Sequence, residues 1–451
     1  MTKDTDKKSR LLVTREGVSY VLPFIVVTCC FALWGFANDI TNPMVKAFSK
    51  IFRMSVTDGT LVQVAFYGGY FCMALPAALF IRRHSFKSGI VLGLALYALG
   101  VLLFIPARSM GSFAPFLIAY FILTCGLSFL ETTANPYILL MGDRETATRR
   151  LTLAQSFNPI GSLAGMFVAM NLIQARLSPL DTSERALLDD ARFEALKQSD
   201  LSVLVHPYAL LSVVIVLLLV VMLLVRIPAV HQVSRESRLP LMPAVKRLWA
   251  NKTYRRGVVA QFFYVGAQIT CWTFIIQYGT RVFMAEGMGE QAAEVLSQRY
   301  NIVAMVLFCV MRFVNMYLMK FYRPQRLLAV FAAVALVLLC GVVFAGGRAG
   351  MCCLVGVSAC MSLMFPAIYG ISLSGVGEDA ELGSAGLIMA ILGGSLLPAV
   401  QAMIIDSGLT LLPAVNASFV VPAVCFVVVL AYALGFGGGG QATAPRDKQS
   451  N

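Results

Sequence analysis

The sequence predicts an all-α membrane protein of twelve transmembrane helices in two six-helix pseudo-repeat bundles. Three observations predict it. Hydrophobic residues make up 58% of the 451-residue chain and charged residues 13%, against roughly 45–50% and about 25% in a soluble domain. The apolar residues fall into twelve stretches near the ~20 residues that a helix needs to cross a bilayer core. Positive charge alternates between the loops joining them, as it does when one face of a membrane protein is cytoplasmic. The stretches are continuously apolar rather than alternating, which excludes a membrane β-barrel.

In chain order, a polar leader over 1–19 carries Lys3, Lys7, Lys8, Arg10 and Arg15 and lacks an apolar segment followed by a cleavage site. A removed signal peptide is therefore not expected. Six spans are predicted at 20–46, 60–81, 88–106, 113–141, 151–175 and 205–226, forming an N-terminal bundle over 20–226. Arg82, Arg83 and Lys87 mark one basic turn, and Arg144, Arg149 and Arg150 the next. Between the fifth and sixth spans, the loop 177–205 holds Leu187, Leu188, Phe193 and Leu196 at helical spacing. It is read as a short helix on the outer surface, with its charges solvated.

The segment 227–256, basic and proline-containing, is expected to be a cytoplasmic linker. Six further spans follow at 257–281, 294–319, 327–345, 350–374, 384–405 and 411–434, a C-terminal bundle over 257–434. The glycine-rich 435–451 ends the chain as a flexible cytoplasmic tail. LPAALFIRRHSFKSGIVLG and NMYLMKFYRPQRLLAVF occupy the same second-to-third-span position of each half, a weak parallel repeat. Such a plan places a substrate near midplane between the halves. With an even number of spans and the basic loops inside, both termini are cytoplasmic. The expected setting is the bacterial cytoplasmic membrane, as a monomer in contact with lipid.

A net charge of +13 would raise nucleic acid as a partner in a soluble protein. Here the charge is confined to the termini and alternate loops, which argues against one. No P-loop pattern is present, so an ATP-driven pump has no engine in this chain. Nothing resembles a metalloprotease helix, a nucleophile elbow or a Cys/His metal cluster, and the eleven cysteines read as small apolar residues. Neither enzyme nor cofactor is expected. A channel would need a ring of repeated filter elements, and two pseudo-repeats offer none. A secondary transporter remains, or a non-transporting sensor on the same scaffold.

Its chemistry centres on Glu131, in FAPFLIAYFILTCGLSFLETTANPYILLM. A carboxylate at the middle of a span costs roughly 2.5–3.5 kcal/mol on insertion scales, so by default it marks a substrate or proton pathway. Thr132, Thr133, Asn135 and Pro136 make its surroundings polar and irregular. In the first span, Asn38, Asp39 and Asn42 lie about a turn from Trp34, and Pro43 can free a backbone carbonyl there. The three histidines, His84, His206 and His231, are not central in any span. A proton would thus be carried by a carboxylate. An apolar surround disfavours the charged form of such a group, and crossing the membrane potential is worth about 2.3 kcal/mol per 100 mV.

Arg312 within the eighth span is open to two readings, a charge in the site or a structural counter-charge. Asp406 lies near enough to a span end to be a helix-end residue. Gln155 and Asn158 stand in LAQSFNPIG, while Gln261, Tyr264, Gln268 and Trp272 step by three or four along the seventh span. Amides match hydroxyls and flat aromatic faces match a sugar ring. The competing reading of that stripe is amide glue between helices. No arginine cluster inside the spans suits a phosphate.

LETTANP, LAQSFNPIG, QFFYVGAQITCW and AFYGGYFCMALPAALFIRRHSFKSG together resemble the fucose permease branch of the major facilitator superfamily, through nearly all twelve spans. The resemblance implies alternating access and symport of a monosaccharide, most of all L-fucose, with protons, powered by the proton gradient. By position it implies that Glu131 is the family's proton-coupled sugar ligand. A related glucose/galactose branch tends to carry Gln there. Asp39 and Asn42 exchange the residue types of the family's first-span pair, and Phe365 in MSLMFPAIYG stands where the family has Tyr. The implied site is therefore Glu131 and Asp39 for coupling. Trp34, Asn38, Asn42, Asn135, Gln155, Asn158, Tyr264, Gln268 and Trp272 would hold the sugar.

Overall fold

Among the described residues, twelve helices are long and apolar enough to cross a membrane: Val21–Thr41, Val64–Arg83, Phe86–Met110, Ala114–Leu140, Ala147–Ile173 and Asp190–Leu224, then Lys252–Ala285, Ala292–Leu318, Pro324–Ala345, Gly347–Leu373, Ala380–Ile405 and Ala414–Leu434. This computed structural model describes residues 12, 19–41, 44–54, 61–178, 180, 184, 185, 187–225, 241–407 and 413–435. Most of the expected leader and tail, 227–240 of the linker, and Asn42 of the first span lie outside these residues. With an even number of spans, the first begins and the twelfth ends on one face, the terminal face.

Three elements differ from the sequence expectation. The surface helix expected within 177–205 is the start of the sixth span, which runs unbroken from Asp190 to Leu224. Buried Leu201, Leu204, Tyr208, Leu211 and Ile215 continue one stripe along it. The polar composition of its first turns hid that continuity. Nor are all the loop charges solvated. Arg185 and Asp200 pair at 2.5 Å with both side chains buried, and the Arg53 guanidinium stacks 3.5 Å from the centre of the Phe193 ring.

The seventh span begins at Lys252, earlier than expected, because the Asn251 side chain caps it by accepting from the Tyr254 amide. Part of the expected linker is also helical, over Leu241–Ala250. Arg247 holds that helix to the second half through two bonds to Asp379, of 2.9 and 2.8 Å.

The spans pack around two hydrophobic cores. One fills the first six spans and continues into Tyr369, Leu373, Leu382, Ala385 and Ile388 near the terminal-face ends of the tenth and eleventh spans. The other fills the second half. The terminal-face end of the eleventh span, Ala380–Met389, packs on the second and fourth spans, and Met364–Leu373 packs on Ala147–Gln155. The halves are thus sealed together by apolar burial on the terminal face. Each fully buried large side chain contributes about 1.5–3 kcal/mol to that seal.

Two prolines add polar ties across the same seam. Proline has no amide hydrogen, so within a helix the carbonyl four residues earlier loses its usual donor. Pro136 releases the Thr132 carbonyl in this way, and it accepts from the Ser384 hydroxyl of the other half at 2.9 Å. Pro159 releases the Gln155 carbonyl, and it accepts from Arg312 Nη1 at 2.7 Å. The fifth span breaks at Ser156 and Phe157 and resumes at Asn158, as expected around such a proline. Both cross-half bonds were invisible in sequence as pairs, although each proline was plain to see.

Within the first half, the first and fifth spans cross backbone to backbone. A Cβ on Gly161 would lie 1.8 Å from the Ala32 carbonyl oxygen, and one on Gly35 would lie 2.0 Å from that of Asn158. Only hydrogen fits at these two positions. The crossing sets the first-span residues Trp34, Asn38 and Asp39 beside Asn158 of the fifth.

Candidate functional site

Between the halves lies a cavity of about 1080 Å³, its open mouth included. The terminal-face seam closes its floor, so it opens toward the opposite face. Trp34, Asn38 and Asp39 of the first span, Glu131 of the fourth, and Gln155 and Asn158 of the fifth line one side. Gln268 and Trp272 of the seventh span and Arg312 of the eighth line the other. Eight of the eleven residues implied for the site are therefore brought to one wall system. The first half supplies the two carboxylates and the amides Asn38, Gln155 and Asn158 beside aromatic Phe31, Trp34, Phe66, Tyr67 and Tyr70, while the second adds Gln268 and Arg312 among apolar and aromatic residues. A ligand seated there meets hydrogen-bonding groups and aromatic faces from both halves.

Glu131 sits on this wall 1% exposed, and neither carboxylate oxygen has a hydrogen-bond partner. A buried ionised carboxylate with no donor is among the costliest groups a protein can hold. Two responses relieve it: taking up a proton or receiving donors from a bound molecule. Both are open to a group that lines a cavity. Asp39, half-buried nearer the mouth, has the Tyr67 phenol within electrostatic reach.

Arg312 is 4% exposed. Besides the Gln155 carbonyl it approaches Gln155 Oε1 at 3.5 Å and lies 4.8 Å over the Phe308 ring. Gln155 Nε2 donates to Asn135 Oδ1 at 2.9 Å, and Asn135 Nδ2 donates to the Glu131 carbonyl at 3.0 Å. A continuous chain of polar contacts thus runs from the eighth span through the fifth to the backbone of Glu131. Between the two readings left open for Arg312, the geometry joins both: a charge on the cavity wall that also ties the halves.

The aromatic elements are similarly fixed. Trp272 Nε1 donates to Ser358 Oγ at 3.3 Å, and its ring meets Phe308 edge-on at 5.0 Å. Trp34 stacks on Phe31 at 5.6 Å. Asn158 Nδ2 donates to the Phe31 carbonyl at 3.3 Å, which holds the amide at the helix crossing.

Two implied ligands do not reach the cavity. Asn135 is fully buried behind Glu131, its amide used by the chain just described. Tyr264 is fully buried in the second half, donating to the Met361 carbonyl at 2.9 Å, with its ring against Phe365. The seventh-span stripe divides because the part of the helix carrying Gln261 and Tyr264 is inside the half's own core. Only Gln268 and Trp272 look across to the other half. Helix phase alone cannot separate these positions, since a central span is buried on both faces. Asn42 lies outside the described residues.

Several wall residues were not singled out in the sequence. Tyr67, Tyr70, Ser162, Met305, Phe308 and Ile391 line the cavity yet read as ordinary span residues. For the two tyrosines a signal existed, their i, i+3 spacing in an apolar helix beside Gly68 and Gly69. Among the described residues, no group of three or more His, Cys, Asp or Glu could hold a metal ion.

The sequence pattern of the Major Facilitator Superfamily matches residues 27–399. The chain is 48% identical to the L-fucose-proton symporter of Haemophilus influenzae over 422 residues, covering 92% of this chain and 96% of that one. It is 31% identical to the Escherichia coli L-fucose-proton symporter, covering 93% and 94%. To the Brucella abortus glucose/galactose transporter the identity is 30%, covering 93% and 95%. The crystal structure of the transporter FucP in the outward conformation superposes with a TM-score of 0.83 at 30% identity, over 93% of this chain and 100% of that one. By pattern, relatives and superposition alike, this chain belongs to the Major Facilitator Superfamily and, within it, to the fucose permease family.

Proposed function

We propose that this protein imports a neutral monosaccharide, L-fucose above others, together with protons, by alternating access. One observation carries the reading: a fully buried carboxylate, Glu131, faces the cavity between the halves with neither oxygen engaged. Protonated, it is an uncharged partner for a sugar hydroxyl. Deprotonated in a dry site it is unstable, so its proton and the sugar are tied to the same conformational step. Driving one proton across 100 mV is worth about 2.3 kcal/mol, enough for about 50-fold accumulation of a neutral solute.

The scaffold supports the rest of the reading. The seam at the terminal face, with Ser384 on Thr132 and Arg312 on Gln155, closes one route, and the opposite mouth admits sugar. Releasing these ties while the opposite ends close would deliver the sugar to the terminal side. By the distribution of basic residues that side is the cytoplasm, in a bacterial inner membrane. The proton gradient serves as the energy source and no cofactor is required. The expected unit is the monomer in lipid, since both cavity walls come from one chain.

Uptake of radiolabelled L-fucose in proteoliposomes, in competition with D-galactose, D-glucose and L-rhamnose, tests the cargo. L-Fucose is expected to compete best. Stronger competition by glucose or galactose would move the protein to that branch's activity, and sugar binding without any uptake would make it a sensor. Trp272→Ala is expected to weaken fucose binding about tenfold, the loss of one aromatic face on a ring, read by calorimetric titration.

A further inference from the structure

Tyr70, in the second span, belongs to the cavity wall and has no assigned task. It is 3% exposed, and its hydroxyl has no hydrogen-bond partner within 3.5 Å. Glu131 is within electrostatic reach of that hydroxyl and is equally without a partner. Two unsatisfied polar groups, one a donor and one an acceptor, thus line the same cavity from adjacent spans. Leaving either buried and unpaired costs about 1–3 kcal/mol, more for the charged one. Such a pair persists when a partner is present for part of a working cycle.

With no partner for its oxygen, the Tyr70 hydroxyl can turn its hydrogen toward an acceptor on the cavity wall. Ser128 fixes the backbone beneath, donating to the Tyr70 carbonyl at 3.0 Å.

Resting on the symport reading above, we propose that Tyr70 is a positioning residue for proton coupling: its hydroxyl donates to the Glu131 carboxylate when the proton has left. The bond is stronger to the charged form of Glu131 than to the neutral acid, so it holds that form long enough for the empty carrier to return. No bond to Tyr70 is needed when Glu131 is protonated and the sugar is bound. Sugar affinity at acid pH then depends little on the Tyr70 oxygen, while the pH at which coupling operates depends on it strongly.

The other titratable groups facing this pair are Asp39 on the first span, Tyr67 one turn away on the second, Tyr97 on the third, Tyr369 on the tenth and Arg312 on the eighth. None of these is altered by removing the Tyr70 oxygen. Losing a donor from the charged form favours the protonated one, so proton release then needs a more alkaline medium. The midpoint of the pH profile is expected to move up by about one pH unit, the usual weight of a hydrogen bond to a carboxylate.

The experiment measures L-fucose uptake and counterflow against pH in proteoliposomes holding wild type, Tyr70→Phe, Glu131→Gln and the double variant. Wild-type uptake accompanied by proton entry is required first, and its absence would defeat the symport reading instead. Given that, Tyr70→Phe is expected to shift the alkaline limb of uptake upward by about one unit while fucose binding at acid pH stays within about twofold. In the Glu131→Gln background the same substitution is expected to change nothing, because the coupling term vanishes when its partner is gone. An unshifted midpoint in Tyr70→Phe, or an equal effect of the substitution with and without Glu131, would overturn the proposal. Phenylalanine keeps the ring and removes an oxygen with no partner, so folding is not at issue, and binding at acid pH checks it.

Discussion

In Glu131→Gln, accumulation of L-fucose is expected to collapse to the external concentration while exchange of labelled for unlabelled sugar continues. Glutamine keeps the size of the side chain and its capacity to bond a hydroxyl, but it carries no titratable proton. The buried, donor-free setting of Glu131 means the wild-type group must change charge for the carrier to cycle. A permanently neutral residue leaves the sugar-bound transitions intact and removes the energy of the proton gradient. The expected size is the whole gradient, about 50-fold per 100 mV for one proton. Concentrative uptake that survives in Glu131→Gln would pass the coupling role to Asp39, the other carboxylate on the cavity wall.

The second large effect is steric. In Gly161→Ala the new methyl would meet the Ala32 carbonyl at 1.8 Å, a backbone atom that cannot swing aside. The first and fifth spans must separate, which carries Trp34 and Asn38 away from Asn158. Overpacking of this kind costs about 1–3 kcal/mol and sometimes more, and here it also misplaces the site. Purified Gly161→Ala is expected to melt several degrees lower and to lose at least about tenfold in fucose affinity. Gly289→Ala is the control. Gly289 has φ of −65° and no atom within 4 Å of an added Cβ, so stability should be unchanged. Equal melting and affinity in the two variants would mean that the crossing is looser than it stands.

How much of this was legible in the sequence depends on the kind of signal. The spans were, because a bilayer demands length and hydrophobicity that composition reports directly. The start of the sixth span was not, since its first turns leave the apolar zone and carry Asp190, Arg192 and Glu194 in ordinary helical register. Charged or amide residues in apolar runs were conspicuous, so Glu131, Asp39, Gln155, Asn158, Gln268 and Arg312 stood out, and all six line the cavity. Direction was the difficulty. Asn135 and Tyr264 are of residue types that also line the cavity, but they point into helix contacts rather than into it. Tyr67 and Tyr70 were missed for the converse reason: a tyrosine in a membrane span looks like packing until its neighbours are known.

The prolines show what sequence and structure each contribute. Pro136 and Pro159 stand in plain view, yet only the fold shows that Ser384 and Arg312 of the other half donate to the carbonyls they free. One bond falls on Thr132, the next residue in the chain, and the other connects to the Glu131 carbonyl through Gln155 and Asn135, so the group proposed to carry the proton is close to the contacts that hold the terminal face shut. Coupling between proton and gate then needs no long route.

Whether sugar and proton move together through this cavity is read by adding L-fucose to de-energised proteoliposomes in a weakly buffered medium, with a pH electrode outside. Prompt external alkalinisation is expected with wild type, graded with sugar concentration and absent in Glu131→Gln. Fucose entering wild-type vesicles with no change in external pH would contradict their joint movement.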